Sequence, residues 1–78
     1  MKIEILGSGC PKCKELEKRV KEAVAKEGLK AEVTHVYDIE KIIEYGVLST
    51  PSLVVDGKVV LSGQLPSTNE ISKILKGE

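Results

Sequence analysis

Ile3-Glu4-Ile5-Leu6-Gly7-Ser8-Gly9-Cys10-Pro11-Lys12-Cys13 decides the fold, because the residue pattern changes from strand to helix within it. Ile3 to Leu6 reads as a short strand, and Gly7-Ser8-Gly9 closes it. Pro11 suits the first turn of a helix, where its missing N–H leaves no hydrogen bond unmade. From Pro11 to Glu27 the apolar residues Cys13, Leu16, Val20, Ala23 and Val24 recur three and four apart, which builds one apolar stripe. The other face carries Glu15 before Arg19, Glu17 before Lys21 and Glu22 before Lys26. Each acid-before-base pair four apart contributes about 0.3 kcal/mol. Gly28 is placed to cap the helix C-terminus.

Downstream, Lys30 to Tyr37 reads as a second strand. Asp38 is positioned to cap a short helix whose core face is Ile39, Ile42 and Ile43, and Gly46 ends it. A loop, Val47-Leu48-Ser49-Thr50-Pro51, follows. Ser52 to Val55 and Lys58 to Leu61 flank Asp56-Gly57. Asp-Gly between two β-branched runs predicts a two-residue hairpin turn, since both central positions tolerate positive φ. Ser67-Thr68-Asn69-Glu70 fits a capping box. The helix after it places Ile71, Ile74 and Leu75 on the core face and Lys73 and Lys76 near its negative end. The order β-α-β-α-β-β-α follows. Its first two strands are parallel across a helical crossover, and its last two form an antiparallel hairpin. An α/β domain results, with a four-stranded mixed sheet and helices on both faces.

At 78 residues the chain is expected to be a single domain over 1–78, and a monomer. It has 12 basic and 12 acidic residues, so it lacks the positive surface that nucleic acid or an anionic membrane would attract. No apolar run approaches the ~20 residues of a membrane span. Met1 to Leu6 is too short and too charged for a secretory signal. A soluble cytoplasmic protein is therefore expected.

The only cysteines are Cys10 and Cys13. A bond between them closes a tiny loop and removes little unfolded-state entropy, so they are poor staples. Their position offers chemistry instead. Cys10 precedes the first helix, where backbone N–H groups lack intrahelical partners and the dipole is positive. Both favour thiolate over thiol. Lys12 adds a nearby positive charge. Cys13, one turn on, falls on the apolar stripe and should be more buried. Cys10 is therefore expected to attack a disulfide, and Cys13 to resolve the mixed disulfide that forms.

The strand-loop-helix around Cys10-Pro11-Lys12-Cys13, the Thr50-Pro51 step before a strand, and the Asp56-Gly57 hairpin with its closing helix resemble the thioredoxin superfamily over nearly the whole chain. The similarity is to its small, glutaredoxin-sized members from archaea and bacteria. It implies a thioredoxin-like fold and a thiol-disulfide oxidoreductase with no bound cofactor. It implies that Pro51 is cis and faces the cysteines, with the backbone of Thr50 pairing an extended substrate. It also implies that Glu4, six residues before Cys10, assists deprotonation of Cys13. From the residues alone, Glu4 instead sits near the sheet end and reaches solvent. The implied partners are protein disulfides and an electron-donating reductase resembling thioredoxin reductase.

The chain departs from the family at several places. Gly9 stands where thioredoxins carry tryptophan, and Pro11-Lys12 replaces their Gly-Pro. Ser62-Gly63-Gln64 lacks the acid with which glutaredoxins bind glutathione, so glutathione is not the expected partner.

The alternative use of Cys10 and Cys13 is as a soft-metal site, because thiolates suit Cu(I) and small metal chaperones place a CxxC between a first strand and helix. Those chaperones end on a strand, whereas this chain ends on a helix. A structural zinc site needs four ligands, and Cys10, Cys13 and His35 supply three, so no metal is expected. His35 reads as a partly exposed strand residue, and Tyr37 and Tyr45 as packing residues. Gly7-Ser8-Gly9 fails the dinucleotide fingerprint because Lys12 stands at its third glycine position.

Overall fold

The computed structural model describes residues 1–47 and 49–77. Leu48, in the expected 47–51 loop, and Glu78 lie outside them. Among the described residues the order is β1 (Lys2–Leu6), α1 (Pro11–Glu27), β2 (Glu32–Val36), α2 (Ile39–Glu44), β3 (Ser52–Val55), β4 (Lys58–Ser62) and α3 (Thr68–Leu75). The sheet order is β2-β1-β3-β4. β1 runs parallel to β2, with Ile5 opposite His35, and antiparallel to β3, with Ile5 opposite Leu53. The fold is the α/β arrangement read from the residue pattern, and the thioredoxin-like one that the resemblance implied.

Alternation along β1 separates two cores. Ile3 and Ile5 pack with Leu16, Val20 and Ala23 of α1 and with Ile71 and Leu75 of α3. Leu6 points the other way and packs with Val54 and with Ile42 of α2. Helices therefore cover both faces. The second core is small, and this corrects the expectation for α2. Of its three isoleucines only Ile42 is buried, while Ile39 and Ile43 are each 67% exposed. A helix of six residues presents one narrow line to the sheet, and Ile42 occupies it. Similarly, α3 buries Ile71, Ser72 and Leu75, with Ile74 packed at the edge.

Local signals match their elements. Asp56 and Gly57 take φ of 50° and 83°, as the hairpin turn requires. The Ser67 hydroxyl accepts from the Glu70 N–H at 3.2 Å. Gly28 caps α1 in the left-handed region. Glu15–Arg19 and Glu17–Lys21 pair as expected. Lys26 instead reaches across to Asn69 Oδ1 on α3. Arg19 ties α1 to the loop before α3, donating to the carbonyls of Leu65 and Pro66. No helix among the described residues is long and apolar enough to cross a membrane.

Candidate functional site

Parallel pairing of β1 and β2 puts their C-terminal ends at one edge, and the loop leaving β1 carries the cysteines there. Cys10 is the N-cap of α1, with φ −64° and ψ 163°, and Pro11 opens the helix. The Cys10 Sγ accepts the N–H of Cys13 at 3.3 Å. The two sulfurs lie 2.6 Å apart as free thiols. Cys10 is partly exposed and Cys13 is fully buried.

This asymmetry separates their acidities. Cys10 is held below the ordinary thiol range, first by the hydrogen bond from the Cys13 thiol, then by the backbone N–H of Cys13 and, more weakly, that of Lys12. Burial pushes Cys13 up, and the neighbouring Cys10 sulfur adds to the rise. Cys10 is thus the more acidic thiol. The leading cause is the second thiol, with the helix-end amides behind it. Lys12 contributes to Cys10 through its N–H, and its ammonium donates to the carbonyl of Gly63 at 3.0 Å. Only the backbone of Lys12, and not its side-chain charge, is among the groups that hold Cys10 low.

Gly7 packs directly on Cys13. A Cβ on Gly7 would collide with Cys13 Sγ and lie 3.2 Å from Cys13 Cβ, with Pro51 Cα in ordinary contact at 3.9 Å. Pro51 is buried beside the buried cysteine, and the Thr50–Pro51 peptide is cis. The Pro51 carbonyl accepts from the Gly63 N–H at 2.8 Å, while Thr50 is exposed. Cys10, Cys13, Lys12, Pro51 and Gly63 therefore belong to one cluster at the sheet edge.

Glu4 is half-buried on the α2 side of the sheet, where the Tyr45 hydroxyl donates to its Oε1 at 2.7 Å. That contact pushes the Tyr45 phenol up. Tyr45 packs against the smaller core, as a packing residue should. Tyr37 does not pack inside. It is 59% exposed and stacks on His35, with ring centroids 4.0 Å apart. His35 is a partly exposed strand residue as expected, with its side chain turned inward and only 6% exposed. Its Nδ1 meets Glu17 and its Nε2 meets the Gly7 carbonyl, so both ring nitrogens are engaged away from the sulfurs. Among the described residues, no group of three or more His, Cys, Asp or Glu is arranged to hold a metal ion. Sequence reasoning missed His35 as a site neighbour. The only signal was its register opposite Ile5, two residues before Gly7.

A shallow groove along α1, lined by Lys14, Glu17, Lys18, Lys21, Glu22 and Tyr37, contains neither cysteine.

A family model described as thioredoxin domain matches residues 1–76. The chain is 43% identical over 75 residues to a protein named thioredoxin from Methanothermobacter thermautotrophicus, covering 96% of this chain and 97% of that protein. It is 42% identical over 74 residues to a thioredoxin from Methanocaldococcus jannaschii, covering 95% of this chain and 85% of that protein.

Proposed function

Because this chain belongs to the thioredoxin family, we propose that it reduces disulfides in proteins through Cys10 as nucleophile and Cys13 as resolving thiol. The chain is a thiol-disulfide oxidoreductase. The opposed acidities of two adjacent sulfurs carry the assignment of roles. The thiolate is the attacking species, so the thiol held low and partly exposed acts first. Cys10 attacks one sulfur of the substrate disulfide, and the other leaves as a thiolate. Cys13 then displaces the captured sulfur from Cys10. The substrate ends as a dithiol, and the protein ends with a Cys10–Cys13 disulfide.

Thr50 and Pro51 line the approach in this reading. Exposed Thr50 offers main-chain groups to an extended substrate segment, as in strand addition. A protein substrate suits this surface better than a small molecule, which would need an enclosing pocket. An electron-donating reductase returns the disulfide to the dithiol.

The test uses single variants in insulin-disulfide reduction with a chemical dithiol as donor. Cys10→Ser is expected to abolish turnover. Cys13→Ser is expected to trap mixed disulfides through Cys10. Full turnover by Cys13→Ser rules out the resolving role. Stoichiometric Cu(I) retention by a reductase-inactive native protein favours the soft-metal reading instead.

A further inference from the structure

His35 takes no part in the exchange above, yet its side chain braces the back of the cysteine loop. Nε2 donates to the Gly7 carbonyl at 3.1 Å, since a carbonyl can only accept. Nδ1 lies 2.5 Å from Glu17 Oε1, and the other Glu17 oxygen is held by Lys21 at 2.8 Å. The ring is therefore anchored to α1 on one side and to the loop on the other. Its stacking partner Tyr37 extends the brace, because a Cβ on Gly9 would meet Tyr37 Cε1 at 3.2 Å. Both peptide groups of Gly7 are held from β2. Its N–H donates to the Val36 carbonyl at 3.1 Å, and its carbonyl accepts from His35.

We propose that His35 is a positioning residue for the resolving step, acting through Gly7 to keep the Cys13 sulfur turned toward Cys10. The proposal rests on the roles assigned above to Cys10 and Cys13. Gly7 packs so closely on Cys13 Sγ that it has no room for a Cβ, so its backbone is a wall against that sulfur. The wall is only as firm as the peptide that forms it. Gly7-Ser8-Gly9 contains two glycines and resists displacement weakly by itself. Removing the imidazole leaves the Gly7 carbonyl without this donor and releases Tyr37 from its stack.

The step affected is a displacement at sulfur. The Cys13 thiolate attacks Cys10 Sγ, the bond between Cys10 and the captured sulfur breaks, and the electron pair leaves on the substrate, which then takes a proton. The two protein thiols lose two electrons and the substrate disulfide gains two. Such a displacement depends on alignment, and a misplacement of about 1 Å can cost about 100-fold. The first attack, by Cys10, does not use the Cys13 sulfur as nucleophile. Loss of His35 therefore slows the second step far more than the first.

A chromogenic aromatic disulfide separates the two steps in one trace. Bis(nitrobenzoate) disulfide releases one coloured thiolate when Cys10 attacks and a second when Cys13 resolves. In the reduced native protein both phases are expected. In His35→Phe, which keeps a ring against Tyr37 but bonds to neither partner, the second phase is expected to slow at least about tenfold, with the first within about threefold. His35→Gln, which retains a donor, should recover part of the rate. A second phase in His35→Phe within twofold of native overturns the proposal. A native protein that releases only the first equivalent removes the resolving role of Cys13 itself, a distinct failure. If circular dichroism shows His35→Phe unfolded, Glu17→Gln decides. It removes the carboxylate behind Nδ1 without altering β2, so a slowed second phase supports the brace and an unchanged one overturns it.

Discussion

Lys12 Nζ donates to the carbonyl of Gly63 across 3.0 Å, which ties the cysteine loop to the chain leaving β4. Gly63 is fixed in turn by its N–H on the Pro51 carbonyl and by φ of 75°. A Cβ there would stand 2.8 Å from Ser49 Cβ. The loop after β4 is therefore part of the site's frame, linked to both Lys12 and Pro51.

The first prediction concerns that lysine. Lys12→Met keeps the backbone N–H that acts on Cys10 and removes the ammonium together with its bond to Gly63. In a Cys13→Ala background the Cys10 thiolate is expected to titrate alike with and without Lys12→Met, followed by absorbance near 240 nm. A clear upward displacement would return the lysine charge to the role its sequence position suggested.

Gly7→Ala is expected to destabilise the reduced protein by about 1–3 kcal/mol, the range for overfilling a packed site. The new methyl meets a buried sulfur, and relief requires moving Cys13 or the loop. Ser8→Ala, at an exposed neighbour, should stay within about 0.5 kcal/mol. Urea unfolding in excess reductant measures both. Equal stability for the two variants contradicts the close approach.

Glu4 and Tyr45 form a third test. Tyr45→Phe is expected to cost about 1 kcal/mol for the lost hydrogen bond and to leave disulfide reduction intact. Glu4→Gln keeps an oxygen to accept from Tyr45 and should hold turnover within about twofold. A fall of more than about tenfold in turnover, with an altered pH profile, would assign Glu4 the proton-acceptor role that the family resemblance implied.

Much of this fold was legible because its signals are local. Pro11 starts α1, Asp56-Gly57 turns the hairpin, and Ser67 with Glu70 opens α3, each acting over a few residues of chain. The cysteine pair was legible for the same reason, since a helix N-terminus is a local feature. What the sequence left hidden depends on long-range placement. Three isoleucines in α2 are equally apolar, and only contact with Leu6 and Val54 selects Ile42. Lys12 and Gly63 are distant in the chain, so no spacing rule pairs them. His35 carries no motif, and its value comes from sheet register and from the facing Glu17 of α1.

The most direct measurement is site-resolved alkylation of the reduced protein across pH, with the modified cysteine identified by peptide mass. Only thiolates react appreciably, so a thiol held low reacts at lower pH and a thiol pushed up reacts later. Cys10 is expected to be modified first, with its rate rising below the range of an ordinary cysteine, while Cys13 stays protected until higher pH. Equal modification of both, on the profile of an unstructured thiol, or earlier reaction of Cys13, would contradict the assignment of nucleophile and resolving thiol.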